Sequence, residues 1–318
     1  MGRAAEQKRD GPSLEINLGS LALKNPVIAA SGTFGYGEEY ASLLPVGSLG
    51  GIITKGLSLE PRKGNPPPRL AETSSGMLNA IGLENVGLEI FLREKLPFLR
   101  KVRCLVFVNI FGSTAEEYAE MARRLSEVKG ISGLEVNISC PNLKAGGAIF
   151  ASEAKTVHQV VAKIRRATSS FVMVKLSPNV ADIVRIALAA EEGGADAVSL
   201  INTLTGLAID VRTRTPLLGN ITGGLSGPAI KPIGLRMVWQ VAQAVHIPVV
   251  GMGGIMTAED ALEYLIAGAT AVEVGSAHFI DPRAGLKIID GIQSYLKAYE
   301  FPTVASLVGS LKIKRDLS

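Results

Sequence analysis

Eight short apolar runs recur along the chain, at 26–31, 51–55, 104–110, 133–140, 171–176, 197–202, 248–253 and 271–275. Each has the length and composition of a buried strand. Between most of them lie segments with apolar residues at helical spacing, at 114–128, 152–167, 180–192, 229–245 and 257–267. Ser113-Thr114 ahead of Glu116-Glu117, and Thr257 ahead of Glu259-Asp260, read as helix starts. Strands alternating with helices predict a parallel sheet with crossover helices. No linker or composition break divides the chain, so the pattern favours one closed (β/α)8 TIM barrel domain over 1–318 rather than a doubly wound sheet. Residues 14–18 and 21–23, joined by Gly19-Ser20, predict an N-terminal hairpin, and the polar stretch 1–13 a flexible leader. Two long connections, 58–79 with Pro66-Pro67-Pro68 and the Gly- and Thr-rich 203–228, are expected to be lid loops.

Polar residues interrupt this pattern at one kind of place. Ser31, Lys55, Asn109, Asn137, Lys175 and Asn202 each fall at the C-terminal end of an apolar run, which a barrel gathers at one mouth. Buried ammonium and amide groups are costly without partners, so a ligand rich in acceptors and bearing negative charge is expected there. In the run 133–140, Leu134, Val136 and Ile138 alternate with Glu135, Asn137 and Ser139, and Pro141 then places Cys140 where the strand leaves the sheet. Read alone, Cys140 is a packing thiol, the commoner fate of a free cysteine. Gly253-Gly254 and Gly275-Ser276 end the last two runs, where barrels often bind phosphate, although paired glycines serve bare turns as well.

A phosphorylated ligand among lysines and asparagines points to flavin mononucleotide, with Lys175 facing the edge of the ring that gains negative charge. A Schiff-base aldolase would also use Lys55 or Lys175, but it leaves Cys140 and the asparagines without a role. Composition narrows the classes further. With 47% hydrophobic and 19% charged residues in 318, the chain can bury a large core. Two distant cysteines make neither a redox pair nor a structural metal site, and they cannot hold an iron–sulfur cluster. The three histidines are scattered, so no metal is expected. The net charge is only +4, and its one basic cluster, 312–315, reads as a solvated tail rather than a nucleic-acid patch. No run reaches membrane-spanning length and 1–13 has no signal-peptide core, so a soluble cytoplasmic protein is expected.

Taken together, Ala30-Ser31-Gly32-Thr33-Phe34-Gly35, Thr54-Lys55-Gly56, Asn79-Ala80-Ile81-Gly82-Leu83, the stretch from Val136 to Asn142, Val174-Lys175-Leu176, Asn202-Thr203 and Gly253-Gly254 are specific. Through them the chain resembles the class 1 dihydroorotate dehydrogenases, and more closely their B subclass. The resemblance implies oxidation of dihydroorotate to orotate in pyrimidine synthesis, on a barrel holding one FMN. It makes Cys140 the base that takes the C5 proton while C6 delivers hydride to the flavin. Lys55, Asn79, Ala80, Ile81, Gly82, Leu83, Asn137, Asn142, Asn202 and Thr203 would hold the substrate. Ser31, Lys55, Gly56, Asn109, Asn137, Lys175, Ile201, Gly227, Gly253, Gly254, Gly275 and Ser276 would line the FMN. B-subclass members work as a homodimeric core with a second subunit that carries FAD and a [2Fe–2S] cluster and passes electrons to NAD. This chain has no GxGxxG after a strand, so an NAD-linked enzyme requires such a partner.

Rival readings are the fumarate-using A subclass, a dihydropyrimidine dehydrogenase-type enzyme and a non-catalytic FMN-binding protein. Acceptor use, pyrimidine preference and flavin reduction separate them. His158, His246 and His278 are expected on the surface or in packing, and Cys104 in the core at the far end of the barrel.

Overall fold

A computed structural model of the chain describes residues 11–138 and 153–313. The predicted leader and Cys140 and Asn142 therefore lie largely or wholly outside the described residues. The hairpin is present as β1 (Ile16–Leu18) and β2 (Leu21–Leu23), and Gly19 at its turn packs against Phe171 and Asp196. These two residues stand at the start of later barrel strands, so the hairpin closes the N-terminal end of the barrel, burying Leu18 and Leu23.

Strands β3 (Val27–Ala29) and β4 (Gly51–Ile53) begin the barrel, and a first excursion follows as β5 (Leu70–Thr73) and β6 (Gly76–Asn79). Then come β7 (Leu105–Ile110), β8 (Gly133–Asn137), β9 (Phe171–Lys175) and β10 (Ala197–Leu200). A second excursion holds β11 (Leu204–Leu207), β12 (Ile209–Asp210), β13 (Thr215–Pro216) and β14 (Thr222–Ser226), before β15 (Val249–Met252) and β16 (Ala271–Val274) close the sheet. The closed order is β10-β15-β16-β3-β4-β7-β8-β9, all parallel, which is the (β/α)8 barrel the alternation predicts.

Helices pack around it through the expected faces. Helix Ala115–Leu125 buries Tyr118, Met121, Ala122 and Leu125, one side of a 3.6-residue period, and the Thr114 side chain caps it by accepting from the Glu117 amide. Helix Ala154–Ala167 buries Val157, Val160, Val161 and Ile164 in the same way. Full burial of one such aliphatic side chain contributes ~1.5–3 kcal/mol. Helix Ala258–Ala267 carries a complete capping box between Thr257 and Asp260. The pattern assigns no helix to 88–99 or 284–298, and the structure has both. Among the described residues, no helix is long and apolar enough to cross a membrane.

The two long connections are more ordered than lid loops. Their strands combine into one antiparallel sheet in the order β11-β14-β6-β5, so segments about 150 residues apart in sequence form a single cover. Where the end of β14 meets the β5–β6 turn, glycine is required: a Cβ built on Gly227, whose φ is +98°, would stand 2.6 Å from the Gly76 Cα.

Candidate active site

Parallel strands deliver their C-terminal residues to one mouth, and three clusters form there. In the first, Asn109 Nδ2 donates to Ser31 Oγ at 3.3 Å and to Glu135 Oε2 at 2.6 Å, while Lys175 Nζ donates to Ser31 Oγ at 3.3 Å. Asn109 and Lys175 are buried, and the Asn109 amide is fixed by donating to Thr54 Oγ1. Asn109 Oδ1 is buried and accepts no hydrogen bond among the described residues. A Cβ built on Gly56 would stand 3.0 Å from that oxygen, so glycine keeps its approach open.

The second cluster is made of amides. Asn137, opposite Lys175 in the β8–β9 register, accepts from Asn202 Nδ2 at 3.4 Å. Asn202 Oδ1 in turn accepts from the Thr203 amide at 2.8 Å. Asn79, at the end of β6, donates to the Gly224 carbonyl at 3.2 Å, and a Cβ on Gly224 would stand 2.1 Å from Thr203 Oγ1. Asn79 and Thr203 therefore flank the same point of the cover sheet. The Tyr118 hydroxyl, fully buried, donates to the Asn137 carbonyl at 2.7 Å and ties this strand end to its helix.

The third cluster is the glycine loop. Gly253 and Gly254 have φ of +121° and +69°, and a Cβ on Gly254 would stand 2.8 Å from the Gly227 carbonyl. Ile201 lies against Gly253, and the buried Tyr264 hydroxyl donates to the Gly253 carbonyl at 2.8 Å. Gly275 sits beside Ala30 and Thr33 at ordinary contact distance, which brings Gly275-Ser276 next to the strand end that carries Ser31.

Other expected residues make no hydrogen bond to these clusters among the described residues. Lys55 is half-buried at the end of β4; its amide donates to the Gly35 carbonyl, and its ammonium has no partner among the described residues. Ala80, Ile81, Gly82 and Leu83 are tied to residues 62–69 and to Asn85, and no described hydrogen bond links them to the ring. Cys140 and Asn142 lie outside the described residues.

Two residues the pattern does not single out dominate the electrostatics. Glu135 and Glu273 lie within the barrel, 0% and 1% exposed, with Lys175 Nζ 3.5 Å and 3.3 Å from them. Ser199 Oγ also donates to Glu135 Oε1 at 2.8 Å. Burial pushes the Lys175 ammonium down, but the Glu135 and Glu273 carboxyls outweigh it and leave its pKa above the ordinary value. Burial, then the Glu135 charge, pushes the Glu273 carboxyl well above the carboxylate range against the pull of Lys175. A charged residue in the middle of an apolar strand was the available signal for both.

The remaining candidates behave as packing or surface groups. His278 is buried with its ring edge-on to Phe34 at 4.9 Å, and burial lowers its pKa. His158 and His246 are exposed. Cys104 is partly buried against the core just before β7, and burial pushes its thiol up to about 11.

The family model described as dihydroorotate dehydrogenase matches residues 13–296. A relative from Geotalea daltonii is 56% identical over 302 residues, covering 95% of this chain and 99% of its own, and is named dihydroorotate dehydrogenase B (NAD(+)), catalytic subunit. A relative of the same name from Pelobacter propionicus is 57% identical over 301 residues, again covering 95% and 99%. Among solved structures, a dihydroorotate dehydrogenase from Eimeria tenella in complex with ferulenol superposes with a TM-score of 0.76 at 22% identity, covering 97% of this chain and 91% of its own, a likeness of fold.

Proposed function

The chain belongs to the dihydroorotate dehydrogenase family, and from that premise we propose how its residues carry out the reaction. The enzyme oxidises dihydroorotate to orotate in pyrimidine synthesis, and its electrons leave to NAD through a partner subunit. FMN, on which the family depends, supplies a two-electron acceptor when bound. The observation that carries the residue assignment is the Ser31–Asn109–Lys175 network beside the glycine loop, because its chemistry matches that cofactor. Asn109 Oδ1, which accepts no hydrogen bond among the described residues, suits a ring N–H, Lys175 an electron-rich pyrimidine edge, and Gly253, Gly254, Gly275 and Ser276 a phosphate.

On this reading Ser31, Gly56, Asn109, Lys175, Ile201, Gly227 and the two glycine turns hold the cofactor. Asn79, Asn137, Asn202 and Thr203 form the substrate side, where paired amide donors and acceptors orient a planar ring with a carboxylate. Lys55 supplies the positive charge for that carboxylate; Ala80, Ile81, Gly82, Leu83 and Asn142 complete the substrate side. Cys140 Sγ takes the proton from the substrate carbon next to the one that loses hydride, so two C–H bonds break and one C=C bond forms. The partner subunit carries FAD and a [2Fe–2S] cluster, joined to a homodimeric core of this chain. The test of the base is steady-state dihydroorotate oxidation with a dye acceptor. Cys140→Ala is expected to lower kcat by about 10²–10⁴-fold with KM little changed. A variant within a few fold of wild type would assign the proton transfer to another group.

A further inference from the structure

Three ionisable side chains meet inside the barrel, and their charges do not cancel. Lys175 Nζ lies 3.3 Å from Glu273 Oε2 and 3.5 Å from Glu135 Oε2, and the three side chains are 6%, 0% and 0% exposed. Fully ionised, they would leave one negative charge with no solvent to screen it, a costly arrangement. The neighbouring groups from the other strands, Ser31, Asn109 and Ser199, are all neutral. One carboxyl should therefore hold a proton.

The donors decide which. Both oxygens of Glu135 are served: Oε1 accepts from Ser199 Oγ at 2.8 Å and Oε2 from Asn109 Nδ2 at 2.6 Å. That is the environment of an acceptor-only carboxylate. Glu273 has Lys175 at Oε2, while its buried Oε1 accepts from no donor among the described residues. Two ionised carboxyls could only repel each other there, whereas a protonated Glu273 can donate to the neighbouring Glu135 carboxylate.

From this geometry we infer that Glu273 is a neutral acid and Glu135 its ionised counterpart, so that the Glu135–Lys175–Glu273 unit carries no net charge. Glu273 is then a positioning residue: it holds the Lys175 ammonium between the two carboxyls, 3.3 Å from Ser31 Oγ at the mouth, without neutralising it towards a ligand there. The elevated proton affinity of Glu273, caused by burial and by Glu135, agrees with this assignment. The positioning role rests on the reading of the mouth as the FMN site; the protonation does not.

Two measurements on the FMN-loaded enzyme test it. The first is the two-electron midpoint potential of the flavin, read by spectral titration against a reference dye. Glu273→Gln, an isostere of the neutral acid, is expected to leave the potential at the wild-type value. Because Glu273 can ionise beside Lys175 once the Glu135 charge is gone, the contrast is the double variant Glu135→Gln/Glu273→Gln, which leaves Lys175 uncompensated and is expected to favour reduction at least tenfold, about 30 mV for two electrons. Equal shifts in the two variants, or a larger one in Glu273→Gln, would overturn the inference. The second is the infrared spectrum at neutral pH, which should carry the carbonyl band of a buried carboxylic acid that Glu273→Gln removes. A wild-type spectrum without that band would overturn the inference even if the double variant failed to fold. A protein that takes up no FMN would remove the positioning role and the cofactor reading together, while the infrared band would still decide the protonation.

Discussion

Lys175 joins the core of the barrel to its mouth, since the same ammonium touches two buried carboxyls and the Ser31 hydroxyl. Removing it should therefore damage two properties at once. Lys175→Met leaves the buried acids without their counter-charge, which costs about 3–5 kcal/mol when one partner of a buried pair is lost. It also deletes the cation proposed to face the flavin. The expected outcome is a clearly lowered melting temperature together with FMN that washes out on gel filtration. A variant that melts lower yet keeps its colour would confine Lys175 to a structural role. At this scale the ring was legible in the sequence because its members end apolar runs. Glu135 and Glu273 were not, because alternation says only that a side chain changes face, and in a closed barrel the second face is a dry interior.

Among the elements, helix Ala258–Ala267 shows local sequence acting on the site. Its capping residue Asp260 accepts from the amides of Met256 and Thr257 and pairs with Lys231, just past the Gly253-Gly254 turn. Partial burial pushes the Asp260 carboxyl up, but Lys231 and the amides outweigh it and hold it below its ordinary 3.8. A depressed carboxyl stabilises the fold above its unfolded-state value, and that contribution disappears as pH falls through the folded-state value. Asp260→Asn is thus expected to cost roughly 1 kcal/mol at neutral pH, as lost caps do. Urea melts should show that deficit closing as the pH falls below 3.8. A deficit unchanged at low pH would mean that the charge is immaterial. The caps at Thr114 and Thr257 and the eight strands were readable locally. The cover sheet was not, because β6 and β14 pair across a long sequence separation and Gly76, Gly227 and Gly254 disclose their close approach only in three dimensions.

For the whole molecule, one mouth brings together residues drawn from Ser31 to Ser276 along the chain, and the cover sheet adds Asn79 from one excursion and Thr203 from another. The pyrimidine chemistry belongs to this chain and the NAD chemistry to the partner subunit. The chain alone should therefore oxidise dihydroorotate with a dye, and it should reduce NAD only when the partner subunit is added. NAD reduction by the isolated chain would contradict that division.

The most direct test is the visible spectrum of the purified chain, recorded without oxygen before and after adding dihydroorotate. A yellow protein is expected, its flavin absorbance bleaching on addition of substrate, with one FMN for each chain. A colourless protein that FMN does not restore would contradict the assignment of the barrel mouth.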